Sequence, residues 1–295
     1  MVHDFNVFYH FPCNDGDIAR LVWEQKYPNS TFYKWNYSNM EETLYLLNKL
    51  PVDIPIIFLD ICPSIDKLSE NYNYIIIDHH KNAIDEMKNK LHECLIGMKN
   101  YRIEMFCDTS KSGCMLTWDY CYHNTNYPTI VHHIGKKDIW DFSNPDTESY
   151  TLGWSDYLSS GNQSFRESTN KVLLTDDTIV LHGIFIHRGQ KIINRLKEKS
   201  EEYFINRTIS TETIDCIEYS IIDITCNDST LYKYLIEYAI NQGFNVDVLR
   251  VLHTIKDDRN VYSVRSLKEH INVDGIARYY GGNGHPKAAG YTLYK

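Results

Sequence analysis

The feature that most constrains this chain is a short apolar run that passes directly into metal-binding residues, Ile75-Ile76-Ile77-Asp78-His79-His80. A β-branched run of this length is typical of a strand that is buried on both faces of a parallel sheet. Two earlier apolar runs, 6–9 and 55–59, are also followed by acids or histidines. Because open α/β sheets place their ligands at the carboxyl ends of strands, one sheet edge should gather all of these side chains: His10, Asp15, Asp17, Asp60, Asp78, His79 and His80. Such a cluster of carboxylates and imidazoles predicts a metal site.

Strand and helix patterns alternate along the first two-thirds of the chain. One helix is predicted to begin after Asp17, at Ile18, and to end near Pro28. A second helix, with apolar positions from Leu44 to Leu50, also lies between the first two apolar runs, and another helix is predicted at 109–122. A βαβαβ series with right-handed crossovers forms a parallel sheet that carries helices on both faces. The predicted fold class is therefore α/β, with a doubly wound, mainly parallel sheet.

The last third of the chain has a different pattern. A highly charged segment, Arg188–Phe204, is typical of an exposed connecting helix. Beyond it, strands are predicted at 216–225, 246–255, 261–267 and 290–294, and helices at 229–241 and 274–280. We therefore expect a metal-binding domain at 1–187, a helical linker at 188–208 and a smaller α+β domain with a mixed sheet at 209–295.

Composition narrows the classes of protein further. No run in the 295 residues approaches the roughly 18 apolar residues of a membrane span, so no membrane partner is predicted. The segment Met1–Phe5 lacks the features of a signal peptide and the eight cysteines contain no CxxC pair, so we expect reduced thiols and a cytoplasmic location. A formal net charge of −9 argues against a broad basic groove for long nucleic acid, although it permits a short phosphorylated substrate.

Four motifs, taken in order, resemble those of the DHH phosphoesterase superfamily. They are Tyr9-His10-Phe11-Pro12-Cys13-Asn14-Asp15-Gly16, Leu59-Asp60, Asp78-His79-His80 and Gly281-Gly282-Asn283-Gly284-His285-Pro286. The last is similar to the GGGHP motif of the family's DHH-associated substrate domain, and the resemblance covers nearly the whole chain. Relatives include RecJ-type exonucleases, nanoRNases that degrade very short RNA, phosphoadenosine-phosphate phosphatases and cyclic-dinucleotide phosphodiesterases.

The resemblance implies a centre with two divalent ions, for which manganese is favoured and magnesium is the alternative. Phosphodiesters are anionic and have a poor leaving group, and two ions about 3.5–4 Å apart both generate hydroxide and neutralise charge. In this interpretation Asp60 bridges the ions, and Asp78, His79 and His80 are the catalytic residues, with His80 as a ligand or a phosphate contact. The implied metal ligands are His10, Asp15, Asp17, Asp60, Asp78, His79 and Asp138.

The first motif permits two alignments. Either Asp15 and Asp17 form the acid pair of the family, or Asp15 is the second acid and Cys13 fills the first position. We favour the pair of aspartates, because manganese and magnesium prefer oxygen ligands to a thiol. A similar subfamily with Tyr-His-x-x-Cys-x-Asp-Gly supports His10 as a ligand and makes Asp17 the weakest member.

The fourth acid of the family also has competitors in this chain. Asp138 matches the Asp-x-Trp that relatives carry, and Asp141 and Asp108 are the alternatives. For Asp108 an N-cap at the start of a helix explains the residue better. The pair His132-His133 has no accompanying carboxylate motif, and we predict a structural role for it.

The C-terminal motif resembles the nucleotide-holding surface of the family. Glycines let the backbone approach a ligand closely, so their amides can face a phosphate or a base. Arg265 offers a planar fork for phosphate, and Lys287 is a weaker second cation. The predicted substrate-binding residues are His80, Arg265, Gly281, Gly282, Gly284 and His285.

These observations lead to one expected function. We expect a phosphodiesterase of the 3′–5′ exonuclease or oligoribonuclease type that hydrolyses short oligonucleotides by a two-metal hydroxide mechanism. The alternatives are a phosphatase of small nucleotides, a cyclic-dinucleotide phosphodiesterase and, outside the enzymes, a nucleotide-sensing binding protein. The expected partner is short RNA or a small nucleotide, and a homodimer is compatible with the sequence.

Overall fold

A computed structural model describes residues 5–35, 40–96, 101–123, 126–159, 178–254 and 259–294. The chain divides into two compact units, Met1–Gln190 and Lys191–Lys295. Among the described residues, no helix is both long enough and apolar enough to cross a lipid bilayer.

The first unit is built on a parallel sheet of five strands in the order β2-β1-β3-β4-β5. The strands are β1 (Asn6–His10), β2 (Thr31–Trp35), β3 (Ile56–Leu59), β4 (Asn73–Asp78) and β5 (Arg102–Cys107). This arrangement confirms the predicted α/β class. The predictions missed β2 and β5, which are the two edge strands and are only partly buried, so their sequences lack the continuous apolar run of a central strand.

Helices cover both faces of this sheet. They are α1 (Asn14–Lys26), α2 (Met40–Leu47), α3 (Lys81–Ile96), α4 (Gly113–Tyr122), α5 (Thr129–Asp138), α6 (Thr147–Ser159) and α7 (Thr178–Tyr203), the last of which crosses from the first unit into the second. Successive strand residues enter different cores: Ile57 and Leu59 pack in one cluster, and Ile56 and Phe58 in the other. Side chains alternate across a strand, so burial of all four residues requires a layer of helices on each side.

Several helix boundaries differ from the predicted ones. The helix α1 begins at Asn14, before Asp15 and Asp17, and α4 begins at Gly113 rather than at residue 109. Ser112 caps α4 by accepting a hydrogen bond from the Met115 amide at 3.5 Å. The first difference matters for the site, because it puts both aspartates in the first turn of a helix.

The second unit contains a mixed sheet of six strands in the order β10-β11-β9-β8-β7-β6. These are β6 (Thr208–Ile214), β7 (Ile217–Thr225), β8 (Val248–Thr254), β9 (Arg259–Ser266), β10 (Asn283–His285) and β11 (Ala288–Tyr294). One core cluster contains α8 (Tyr232–Asn241), and another contains α9 (Val273–Tyr279). The predicted α+β class with a mixed sheet is confirmed, although β6 and β10 were not predicted.

Candidate metal centre

Strand register brings the predicted ligands of three strands to one edge of the first sheet. Leu59 pairs with Tyr9 on one side and with Ile77 on the other. The residue that follows each of these three is His10, Asp60 or Asp78, so all three ligands reach the same level of the sheet. His79 and His80 follow Asp78 directly, before α3 begins.

Asp60 lies at the centre of the cluster and is 1% exposed. Its Oδ2 is 3.1 Å from Nδ1 of His10, and its Oδ1 is 3.2 Å from Nε2 of His79. Its backbone has a φ of 60°, which is uncommon for a residue with a side chain. The Asp60 amide donates to the Ile77 carbonyl at 2.9 Å, and this hydrogen bond holds the unusual conformation in place.

The N-terminus of α4 binds Asp15. The amides of Gly113 and Cys114 donate to the two Asp15 carboxylate oxygens at 2.6 and 3.0 Å. A carboxylate is stabilised there by free amides and by the positive end of the helix dipole. A Cβ atom at Gly113 would lie 2.6 Å from Asp60 Cβ and 2.9 Å from Asp15 Oδ2, so the position has no room for a side chain.

Gly113 was not predicted, because the sequence favours Asp108 as the N-cap of this helix. The available signal was Ser112-Gly113 immediately before the apolar positions of the helix, which is also a good N-terminus.

The ligand atoms form three overlapping groups, and within each group they lie within 4.8 Å of one another. His79 Nε2 is also 3.2 Å from Asp138 Oδ2, so α5 contributes an acid to the cluster. The groups are Asp60 with Asp78, His79 and His80; His10 with Cys13 and Asp60; and Asp15 with His79 and Asp138. Asp60 and His79 each belong to two of these groups.

The structure brings Cys13, rather than Asp17, together with the other predicted ligands. Asp17 belongs to none of the three groups among the described residues. The reason is geometric: Asp15 and Asp17 are two residues apart in α1, and side chains at this spacing point about 200° apart around a helix. The structure therefore does not bring the favoured pair of aspartates together, and it places Cys13 beside His10 and Asp60; which of the two residues is a metal ligand stays a prediction. Burial raises the pKa of Asp17 to about 6, against the opposing effect of Arg20 and Lys34.

The remaining competitors are used locally. Asp141 pairs with Lys136 at 2.6 Å, and Asp108 accepts a hydrogen bond from the Ser110 amide at 2.9 Å. His133 is buried, stacks on Tyr150 and lies 3.2 Å from the Thr147 hydroxyl oxygen.

Burial and mutual repulsion shape the electrostatics of the cluster. Burial and the charges of Asp60 and Asp138 raise the pKa of Asp15 to about 8. Burial alone would also raise the pKa of Asp60, but hydrogen bonding to His10 and His79 outweighs it and lowers this pKa. Burial alone would lower the pKa of His79, yet the carboxylates around it raise that pKa to about 9. A protonated His79 therefore offsets part of the negative charge of the surrounding carboxylates.

His80 differs from His79 in its exposure. Its side chain is 44% exposed, and its Nδ1 lies 2.7 Å from Asp78 Oδ1. This hydrogen bond is the largest cause of the raised pKa of His80. Asp78 therefore orients the His80 ring through Nδ1, and the rest of the ring is accessible to solvent.

The donor set fits divalent cations. One buried carboxylate oxygen, Oδ2 of Asp78, has no hydrogen-bond donor among the described residues. Buried carboxylate oxygens without a donor are costly unless a cation binds them. Carboxylate oxygens suit manganese or magnesium, whereas imidazoles and the thiol of Cys13 are softer donors that also suit zinc or iron.

The predicted substrate residues of the second unit lie on neighbouring strands. Ala288 of β11 pairs with Arg265 on β9 and with His285 on β10, so these two side chains share one face of the sheet, about 10 Å apart. The next row, Ser263–Gly290–Asn283, lines a cleft of about 360 Å³ together with Gly281 and Gly282. The small residues Ala288 and Gly290 leave space between the polar side chains.

The glycines of this segment are explained by packing as well as by ligand binding. A Cβ atom at Gly282 would lie 2.1 Å from the Gly290 carbonyl oxygen, and one at Gly284 would lie 2.4 Å from Ala289 Cα. Gly281 has a φ of 78°, which suits glycine. Gly282 and Gly284 are therefore required for β10 to approach β11.

Two residues that were not predicted, Tyr232 and His253, lie near Arg265. Its guanidinium lies over the ring of Tyr232, 5.3 Å from the centroid. The Tyr232 hydroxyl contacts the His253 imidazole, whose Nε2 is 3.3 Å from the Ser263 hydroxyl. The register of β8 with β9 places His253 and Arg265 on the same face of the sheet. This register cannot be read from the sequence before the order of the strands is known.

No protein-family model matches the chain. An uncharacterised protein of Acanthamoeba polyphaga mimivirus is 25% identical over 222 residues, which are 75% of this chain and 48% of that protein. The chain thus spans about half the length of the curated relative that it matches.

Among solved structures, the pGpG-specific phosphodiesterase PggH of Vibrio cholerae matches with a TM-score of 0.52 and 11% identity, over 99% of this chain and 93% of that one. An exopolyphosphatase-related protein of Bacteroides fragilis matches with a TM-score of 0.43 and 14% identity, over 99% and 88% of the two chains. At this level of identity the likeness to the phosphodiesterase shows a common fold, and membership of the DHH superfamily stays a prediction.

Proposed function

We propose that this chain is a divalent-metal-dependent phosphodiesterase that hydrolyses short oligonucleotides, down to dinucleotides. The observation that carries the proposal is the set of overlapping ligand groups that share Asp60 and His79 at the carboxyl edge of the sheet. Sharing of ligands is what a centre with two neighbouring ions requires, because one carboxylate then binds both.

The proposed ligands are His10, Cys13, Asp15, Asp60, Asp78, His79 and Asp138, with Asp60 as the bridging residue. Bound manganese or magnesium ions would neutralise the charge of the phosphate and activate the attacking water. The Gly113 and Cys114 amides hold Asp15 in place, and the left-handed backbone at Asp60 directs its carboxylate into the cluster. Such fixed ligands need little rearrangement when cations bind.

His80 has a separate role in this proposal. Since Nδ1 of His80 is paired with Asp78, the other ring nitrogen is the one that would be available to a substrate. We assign it a hydrogen bond to a phosphoryl oxygen or to the leaving alkoxide, a contact that an exposed imidazole can make without breaking the cluster.

Three observations support a short substrate. The net charge of −9 disfavours binding of a long polyanion. The cleft beside Ser263, Gly290 and Asn283, at about 360 Å³, is in the usual size range for a small ligand. The phosphodiesterase whose fold this chain shares is described as specific for pGpG, a linear dinucleotide.

A substrate panel with manganese tests the proposal. The panel contains dinucleotides, five-nucleotide RNA, long RNA, long DNA, a cyclic dinucleotide and phosphoadenosine phosphate. We expect the fastest release of mononucleotides from the dinucleotides and the five-nucleotide RNA, and none after a chelator is added. Turnover of long DNA alone would contradict the proposed substrate class, and binding without any turnover would favour a nucleotide sensor.

A further inference from the structure

One aromatic side chain beside the metal centre is unusually exposed. Trp140 is 77% exposed, whereas Trp23, Trp35 and Trp154 are fully buried and Trp118 is half-buried. A large apolar ring in water costs free energy that packing would otherwise recover. Its ring approaches that of Phe142 only edge-on, at 6.0 Å between centroids.

The backbone presents this ring in a fixed conformation. Trp140 follows α5 and has a φ of 58°, which is rare for a bulky residue. Its amide donates to the Lys137 carbonyl at 3.0 Å, and the next amide, of Asp141, donates to the Lys136 carbonyl at 2.8 Å. The ion pair of Lys136 with Asp141 closes the same turn. The two amide hydrogen bonds form a Schellman C-cap of α5, so the left-handed conformation ends the helix and also fixes the position from which the Trp140 side chain projects.

Trp140 and the metal ligands border the same cleft. This cleft has a volume of about 240 Å³ and is lined by Cys13, Asn14, Asp15, Ile134, Lys137, Asp138 and Trp140. One wall therefore carries proposed metal ligands, and another carries an exposed indole two residues from Asp138. A nucleotide has the matching chemistry, with an anionic phosphate at one end and a flat aromatic base at the other.

We propose that Trp140 stacks on a nucleobase of the substrate while the adjoining phosphate lies at the metal centre. This inference rests on the proposed function, because it assigns the base next to the scissile phosphate to this cleft. Stacking on an aromatic side chain tolerates any base, so Trp140 would contribute affinity for nucleotides without selecting one sequence.

The first test uses tryptophan fluorescence and binding. Adenosine and guanosine 5′-monophosphate should quench the emission of the manganese-loaded protein, and ribose 5-phosphate, which has no base, should not. In Trp140→Phe the quenching should disappear while nucleotide affinity stays within a few-fold of the parent, since a flat ring remains. In Trp140→Ala nucleotide affinity should fall about ten- to a hundred-fold, with ribose 5-phosphate affinity unchanged.

Tyr45→Ala is the matched control, because Tyr45 is also an exposed ring, at 61%, on a different helix. Nucleotide affinity within two-fold of the parent in Trp140→Ala, or equal losses for nucleotide and ribose 5-phosphate, would overturn the stacking proposal. If nucleotide binding depends on Trp140 but no member of the substrate panel is hydrolysed, the stacking site stands and the proposed reaction is wrong.

Discussion

The metal edge of the first unit and the glycine corner of the second hold their polar groups in opposite ways. The metal edge comprises His10, Cys13, Asp15, Asp60, Asp78, His79, His80 and Asp138; the glycine corner comprises Arg265, Gly281–His285 and Ala288. At the metal edge Asp15, Asp60 and Asp78 are buried, and Oδ2 of Asp78 has no hydrogen-bond donor among the described residues. In the glycine corner His285 is exposed, and the glycines are fitted to strand β11.

This difference indicates a separate role for each region. A buried surplus of carboxylates is unfavourable by itself and becomes favourable when cations bind, so the metal edge is suited to chemistry. An exposed surface of small residues between an arginine and a histidine is accessible to a ligand without rearrangement, so the glycine corner is suited to binding. The following predictions test whether the two roles are separate.

The largest effect is expected for Asp60→Asn, which removes a charge from two of the three ligand groups. Loss of turnover should exceed the roughly 10–100-fold that removal of an outer partner of a metal ligand costs. Calorimetric titration with manganese measures the number of bound ions. Asp108→Asn, at an exposed position in the loop before α4, is the control and should behave as the parent. Two ions bound at parental affinity in Asp60→Asn would show that Asp60 is not the bridge.

Arg265→Ala tests the glycine corner. Loss of a charge-assisted phosphate contact costs on the order of 1.5–3 kcal/mol, or roughly ten- to a hundred-fold in kcat/KM for a dinucleotide. A small activated ester such as bis-para-nitrophenyl phosphate should lose much less, because it needs little from the second unit. Comparable losses for both substrates, accompanied by weaker manganese binding, would mean that Arg265 belongs to the metal centre.

Gly113→Ala tests how tightly the metal edge is packed. The added methyl group would collide with Asp60 and Asp15, so we expect a loss of about 1–3 kcal/mol in unfolding free energy together with weaker manganese binding. Gly183→Ala is a matched control in α7, where a Cβ atom meets nothing within 4 Å, and it should be neutral or slightly stabilising. Denaturant unfolding of both variants measures the contrast, which equal stabilities would refute.

Cys13→Ala and Asp17→Asn decide between the two alignments of the first motif. The geometry predicts that Cys13→Ala weakens manganese binding by about ten-fold, whereas Asp17→Asn leaves it within a few-fold of the parent. Titration of manganese into the two proteins gives the order directly. The opposite order would restore Asp15 and Asp17 as the acid pair.

The parts of the fold that depend on continuous apolar runs could be predicted from the sequence. The central strands before His10, Asp60 and Asp78 are apolar on both faces, so their burial and the edge that they share could be predicted. The choice between Cys13 and Asp17 could not, because it depends on the residue at which α1 begins. Gly113 and His253 were not predicted for a related reason: each acquires its role only when a helix or strand that is distant in sequence packs beside it.

The smallest effect is expected for Glu212→Gln, which tests an acid of the second unit that already has a positively charged partner, Arg250. Glu212 pairs with Arg250 at 2.6 Å and accepts a hydrogen bond from Tyr280, the residue directly before Gly281. Burial alone would raise the pKa of Glu212, but these two partners outweigh it and lower the pKa.

A lowered pKa in the folded protein means that the ionised acid stabilises the fold above its ordinary pKa of about 4.3, and that this stabilisation is lost as the pH falls through the folded value. Glu212→Gln should therefore unfold about 1 kcal/mol more easily than the parent at pH 7, with a difference that shrinks towards pH 3. Glu218→Gln, exposed on the neighbouring strand β7, is the control. A difference that is the same at both pH values would mean that the shape of the side chain, rather than its charge, supports Tyr280 and the glycine corner.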